Sequence, residues 1–170
     1  MDLKDYIREI QDFPKPGIGF KDITPLLQDS RAFSHVASRF YKRYSEAHVD
    51  YVVGIESRGF LFAPVLAHAL NCGLVIIRKQ GKLPAETVSL TYDLEYGQDT
   101  LEIHRDALPW GARTVLMDDL LATGGTAAAA ADLLHKVGAR ISEIAFVVEL
   151  AFLEGRHKLA PLPVYSQISY

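Results

Sequence analysis

The chain has 170 residues, 49% of them hydrophobic, and a formal net charge of −3 at pH 7. That length and apolar content suit a single domain with a buried core, and slight acidity without a lysine- or arginine-rich run argues against a nucleic-acid surface. No apolar run approaches the ~20 residues needed to span a bilayer, and Cys72, the one cysteine, leaves no intrachain disulfide. The expectation is a soluble, cytoplasmic protein that partners neither membrane nor nucleic acid.

In chain order, MDLKDYIREI predicts a charged amphipathic helix rather than a secretion signal. Ser30 is placed to cap a helix carrying Phe33, Val36, Ala37, Phe40 and Tyr44 on one face. A strand follows over residues 51–55, then a helix over 59–70 that Gly73 breaks, then a buried aliphatic strand over 74–77. Residues 87–92 and 100–104 read as a hairpin whose connection, 95–99, contains Gly97. A strand at 114–117 leads to a helix from Thr126 through the alanines to about Val137, which Gly138 ends. Strands at 143–150 and 164–168 close the chain. Cys72 reads as core filling, and Trp110, between Pro109 and Gly111, as a hydrophobic peg in a turn. Strands alternating with helices imply an α/β fold with a mainly parallel central sheet flanked by helices, its ligand beyond the carboxyl ends of the strands.

The run VLMDDLLATGGT at residues 115–126 concentrates the chemistry. An apolar strand delivers Asp118 and Asp119, and a glycine loop then feeds a helix N-terminus. Gly124 and Gly125 lack a Cβ, so the backbone can take positive φ and bring its amides close to a phosphate oxygen. The helix dipole favours an anion there, and the hydroxyls of Thr123 and Thr126 add donors. Asp118 and Asp119 are acceptors only, as a sugar cis-diol requires, and their charge favours a positive centre on the sugar ring. The pattern is that of a nucleotide-sugar site, with the 5-phosphate on Ala122, Thr123, Gly124, Gly125 and Thr126.

Other readings of these residues fail on spacing. A P-loop would need glycine at Ile76 and serine or threonine at Leu83 around Gly81-Lys82. A serine-hydrolase elbow at Ser57 would need glycine at Ile55. Gly17 and Gly19 follow no predicted strand, which removes the dinucleotide fingerprint. The six histidines include no pair at i, i+4 beside an acid, so no structural transition-metal site is expected.

The strand, paired acids and Thr-Gly-Gly-Thr loop resemble the signature of the type I phosphoribosyltransferases, which bind phosphoribosyl pyrophosphate. Four further segments resemble the adenine-using branch of that family: PKPGIGFKDITPLL from Pro14, GIESRGF from Gly54, RKQGKLP from Arg78 and LEYGQDTLEIH from Leu94. Together they cover most of the chain. The resemblance implies one phosphoribosyltransferase domain over residues 1–170, in which about residues 1–30 form a small base-binding hood. It also implies transfer of ribose 5-phosphate to adenine, giving AMP and pyrophosphate.

By the same resemblance, Ser57 and Arg58 belong to a pyrophosphate loop, and Arg78, Lys79 and Lys82 to a cationic mobile lid. Ile18, Gly19, Phe20 and Lys21 would contact adenine, with Phe20 stacking on the purine. Lys21 stands where relatives carry arginine, and Gly19 where a branched apolar residue is common. Glu95 would take the proton that leaves the base. Mg²⁺ is expected to be held through diphosphate and ribose oxygens rather than by direct protein ligation, and a homodimer is expected. Two other functions remain open from sequence: a sister enzyme using another base, and a regulator of the same fold that senses phosphoribosyl pyrophosphate.

Overall fold

A computed structural model describes residues 1–94 and 97–170, which form two compact units, Met1–Lys42 and Arg43–Tyr170. Glu95 and Tyr96 lie outside the described residues.

In the first unit a single 3-10 turn, Leu3–Tyr6, precedes strand β1 (Arg8–Ile10), which pairs antiparallel with β2 (Phe20–Asp22). The helix predicted for the first ten residues is therefore replaced by a turn and a strand. Asp2 caps the turn by accepting the Lys4 N–H at 2.9 Å, Ile7 leaves it in extended conformation, and the next three residues find a partner ten or more positions away. Local periodicity carries no information about that partner. Helix α1 (Thr24–Gln28) has Pro25 in its first turn, where the missing N–H costs nothing, and buries Leu26.

Helix α2 (Ser30–Tyr44) forms where predicted, but Asp29, not Ser30, is its cap. The Asp29 carboxylate accepts the N–H groups of Arg31 and Ala32 at 3.0 and 2.9 Å, using two of the donors a helix start leaves unpaired. Ala32, Val36, Phe40 and Tyr44 form its buried stripe at four-residue spacing, with Phe33 and Ala37 half-buried beside it.

The second unit is built on a seven-stranded sheet. Its strands are β3 (Tyr51–Ile55), β4 (Gly73–Lys79), β5 (Thr87–Asp93), β6 (Gln98–His104), β7 (Arg113–Leu121), β8 (Arg140–Glu149) and β9 (Val164–Ser169), in the order β5-β6-β4-β3-β7-β8-β9. The five strands from β4 to β9 run parallel, and the predicted hairpin, β5 with β6, adds antiparallel to β4. This is the expected mainly parallel α/β architecture. The central strands are buried as aliphatic runs, and Val53, Ile55, Leu116, Ile144 and Phe146 have no exposed surface.

The helix predicted over residues 59–70 is divided into a 3-10 turn, Arg58–Leu61, and α3 (Ala63–Leu70), which restarts with Pro64 in its first turn. Helix α4 (Gly125–Lys136) follows β7, and Gly138, at φ +85°, ends it as predicted. A short helix, α5 (Arg156–Leu159), links β8 to β9 and carried no sequence signal of its own. Cys72 is half-buried rather than core, and Trp110 is 85% exposed, its ring lying over Gly138 instead of acting as a peg. Among the described residues no helix is long and apolar enough to cross a membrane.

The strand order creates a crevice. From β3 the chain crosses to β4 on one side, whereas β7, on the other side of β3, leads on to β8. Loops leaving adjacent parallel strands in opposite directions part at their carboxyl ends and leave room for a ligand. The opening is widened because β7 outruns its neighbour: pairing with β3 stops at Gly54↔Met117, while pairing with β8 continues to Leu121↔Glu149. Asp118 and Asp119 thus lie inside the extended strand, which runs four residues further at its carboxyl end than predicted, on the stretch where β3 no longer flanks it.

Candidate active site

A crevice of about 410 Å³ occupies this point, lined by residues 56–58, Lys79 and residues 118–127. Its floor is the loop after β3 pressed on β7. A Cβ on Gly59 would lie 2.8 Å from the Met117 carbonyl oxygen and 3.1 Å from Asp118 Oδ1, so only glycine lets the loop approach this closely.

Asp119 is 4% exposed, and its Oδ2 lies 2.8 Å from Arg58 Nε. Asp118 accepts the backbone N–H of Asp119 on Oδ1 at 2.8 Å. Burial and then the neighbouring Asp119 charge push the Asp118 carboxyl well above the usual carboxylate range. Burial raises Asp119 as well, while the Arg58 guanidinium opposes it. Two adjacent acids that resist holding two charges together are suited to bind hydroxyl donors, which require acceptors but add no charge of their own.

Facing them is the N-terminus of α4. Gly124 takes φ +83° at the N-cap and makes no side-chain cap hydrogen bond. Thr126, expected to be the cap, instead sits in the first turn with its hydroxyl 3.1 Å from that of Tyr92 on β5. The opening amides of α4 therefore face the crevice without a capping side chain, the arrangement in which a helix start takes an anion.

The cations divide into two groups. Arg58 and Lys79 line the crevice, and the Lys79 ammonium pairs with Asp99, to which the Tyr92 hydroxyl donates at 3.5 Å. Arg78 and Lys82 are turned onto Glu56: Lys82 Nζ donates to Oε1 at 2.7 Å, Arg78 Nε to Oε2 at 3.3 Å, and the Lys79 N–H to Oε2 at 2.9 Å. Burial works against the charge on Glu56, whose side chain is 9% exposed, but these three donors overcome it and hold the carboxyl down at about 2.

Glu56 was not among the residues singled out by sequence, although it directly precedes Ser57 and Arg58. The available signal was a carboxylate at a strand's carboxyl end in a chain that also carries a cationic loop. Tyr92 and Asp99 had no such signal, because they meet only through the β5–β6 register.

Residues 18–21 belong to the first unit. The Phe20 ring meets Phe13 edge-on, with centroids 5.1 Å apart, and Lys21 Nζ lies 3.1 Å from Glu9 Oε2. Ile18 is 41% exposed, and a Cβ on Gly19 would meet Glu9 Oε1 at 3.5 Å. The expected proton carrier, Glu95, is outside the described residues.

Residues 23–161 match the family model of the phosphoribosyl transferase domain. The chain is 56% identical to the adenine phosphoribosyltransferase of Chloroflexus aurantiacus, across 99% of this chain and 98% of that one. It is 52% identical to that of Desulfitobacterium hafniense, across 100% and 98%. Among solved structures, the adenine phosphoribosyltransferase of Thermoanaerobacter pseudethanolicus superposes with a TM-score of 0.95 at 50% identity, covering 99% of this chain and 98% of that one. The enzyme from Saccharomyces cerevisiae, solved with an imino-altritol bisphosphate and adenine, gives 0.92 at 42% identity, covering 98% and 96%.

The Glu56 cluster has a defined pH signature. Its folded-state pKa, about 2, lies below the ordinary 4.5, so its stabilisation is complete above 4.5 and is lost as pH falls from there toward 2. Glu56→Gln should lower stability at pH 7 by about 1 kcal/mol, because the partner cations are partly solvated. It should also flatten the acid limb of a plot of Tm against pH. Parallel acid limbs for the two proteins in scanning calorimetry would show that Glu56 does not hold the loop.

Proposed function

The chain belongs to the phosphoribosyltransferase family, and we propose how its residues divide the transfer of ribose 5-phosphate from phosphoribosyl pyrophosphate to adenine, which yields AMP and pyrophosphate. The observation that carries this reading is the crevice between β3 and β7, with paired carboxylates on one wall and an uncapped helix N-terminus on the other. A phosphorylated sugar has a diol at one end of its ring and an anion at the other, and the crevice offers acceptors and donors in the same sequence.

In this assignment the backbone of residues 122–126 and the hydroxyls of Thr123 and Thr126 hold the 5-phosphate. Asp118 and Asp119 accept the ribose hydroxyls. Arg58, Ser57, Arg78, Lys79 and Lys82 serve the diphosphate, for which a guanidinium fork is geometrically suited. Adenine is assigned to Ile18, Gly19, Phe20 and Lys21, where main-chain donors and acceptors can tell an amino group from a carbonyl.

The reaction breaks the anomeric C–O bond, whose electron pair leaves with the diphosphate, and forms a C–N bond to adenine. Positive charge develops on the sugar between these events, and the carboxylates beside it stabilise that charge. The attacking nitrogen must shed a proton, a task assigned to Glu95. In the structure Arg58 is paired with Asp119, and Arg78 and Lys82 with Glu56. Binding exchanges these internal partners for the diphosphate on the cationic side and the ribose on the acidic side.

The residues present fit Mg²⁺ only as an ion brought by substrate. Asp118, Asp119 and Glu56 line the crevice, but no group of three or more acidic, histidine or cysteine side chains among the described residues could hold a metal ion. Bound through diphosphate oxygens, it would offset the charge of the leaving group.

We also assign a homodimer and a cytoplasmic setting. Leu74 and Ile76 lie on one face of β4, an interior strand, and are 43% and 37% exposed; an apolar face at that position suits cover by a second copy.

Incubation of the protein with phosphoribosyl pyrophosphate and each of adenine, hypoxanthine, guanine, xanthine and orotate should release pyrophosphate with adenine alone. Asp118→Asn with Asp119→Asn should cut that rate about 100-fold or more, and retained activity would refute the assignment of the carboxylates. Glu95→Gln should lower kcat about 100-fold with little change in KM; an unchanged kcat would remove Glu95 from the chemistry. Light scattering should give twice the 18.9 kDa chain mass, and the monomer mass at micromolar concentration would exclude the dimer.

A further inference from the structure

Behind the phosphate loop stands a residue to which neither sequence nor the comparisons give a role. Gly155, immediately before α5, has φ −57° and ψ −25°, a conformation open to every residue type. Space, and not backbone geometry, is what excludes a side chain. A Cβ there would overlap the Ala122 carbonyl oxygen and lie 3.1 Å from the Gly124 nitrogen and 3.0 Å from Leu121 Cδ1. The approach is reciprocal, since a Cβ on Gly124 would overlap the Gly155 carbonyl oxygen and lie 3.3 Å from Gly155 Cα. Two backbone segments, about thirty residues apart in the chain, touch with nothing between them. Residues 122–126 line the crevice, whereas Gly155 does not, so it supports the loop from outside the site.

This support is anchored. Arg156 places Nε on Glu149 Oε1 at 2.5 Å and its second terminal nitrogen on Oε2 at 2.6 Å, and donates to the Val164 carbonyl at 2.7 Å. Glu149, the last residue of β8, is 4% exposed, and Leu159 at the far end of α5 is 2% exposed. A bidentate fork onto a buried carboxylate at one end and a buried leucine at the other leave α5 little freedom to retreat from the loop.

We propose that Gly155, held by the Arg156–Glu149 fork, is a positioning residue for the 5-phosphate: it sets how far the loop at residues 122–124 can withdraw, and so where the phosphate-binding amides stand. The inference rests on the assignment of the 5-phosphate to residues 122–126. Backbone that cannot yield would transmit a methyl group at 155 directly to that loop, and displacements well under 1 Å are enough to spoil oriented hydrogen bonds.

The test is calorimetric titration of the full chain with ribose 5-phosphate and, separately, with Mg²⁺-pyrophosphate, on wild type, Gly155→Ala and Arg156→Lys. Gly155→Ala should bind ribose 5-phosphate about tenfold more weakly or worse, with pyrophosphate affinity within twofold of wild type. Arg156→Lys keeps the charge but loses the fork; it should weaken ribose 5-phosphate about threefold with the same selectivity, and it carries the test if Gly155→Ala does not fold. Wild-type affinity for ribose 5-phosphate in the folded variants, or equal weakening of both ligands, would overturn the inference. Wild-type protein that binds pyrophosphate but not ribose 5-phosphate would instead overturn the phosphate assignment beneath it.

Discussion

The ion pair between Arg58 and Asp119 is the contact on which the site turns. Asp119 is almost fully buried, and a lone carboxylate in that position would be strongly disfavoured as an anion. Arg58 reaches it at 2.8 Å from the loop that follows β3. The pair therefore ties the two strands together at the place where their hydrogen-bonded pairing has stopped, and keeps the crevice polar. Glu56 does the same one step further out, where its carboxylate gathers Lys82, Arg78 and the Lys79 amide.

These contacts depend on an arrangement set by the sheet. Because β7 continues past β3 while β8 stays beside it, Asp118 and Asp119 are carried forward on a supported strand rather than on a free loop. The glycines then decide how closely the rest can assemble. Gly59 lets the β3 loop lie on the β7 backbone, Gly124 supplies the positive φ that turns β7 into α4, and Gly155 closes the back of that turn. At each position a methyl group would strike backbone atoms, which cannot rotate away as a side chain can.

Legibility from sequence followed the range of the interactions. The strands β3, β7 and β8, the helices α2 and α4 and the hairpin were readable because their signals are local: apolar runs, four-residue spacing and glycine at the turns. Asp118, Asp119 and residues 122–126 were readable because strand, acids and loop are contiguous. What depended on distant partners was not. The strand at Arg8–Ile10 forms only against Phe20–Asp22, and Tyr92 reaches Thr126 only once the hairpin has folded over α4. Asp29 took the cap expected of Ser30 because both residue types are good caps, and one residue of phase decides between them. Gly155 was invisible for the plainest reason: its ordinary φ gives no turn signature, and the constraint on it is a backbone 31 positions away.

The internal pairing of charge also bears on selectivity. In the proposed assignment, a ligand that offers only an anion can engage Arg58 but draws it away from the buried Asp119 carboxylate without replacing it there. Such a partial ligand breaks a charged contact whose buried half it cannot satisfy, and an unpaired buried charge costs several kcal/mol. A molecule carrying diphosphate, diol and 5-phosphate together replaces both halves at once and adds the amides of α4. Discrimination then comes from the cost imposed on incomplete ligands as much as from attraction to the complete one. The crevice needs no large apolar surface to achieve this, in keeping with walls made mainly of charged side chains and backbone.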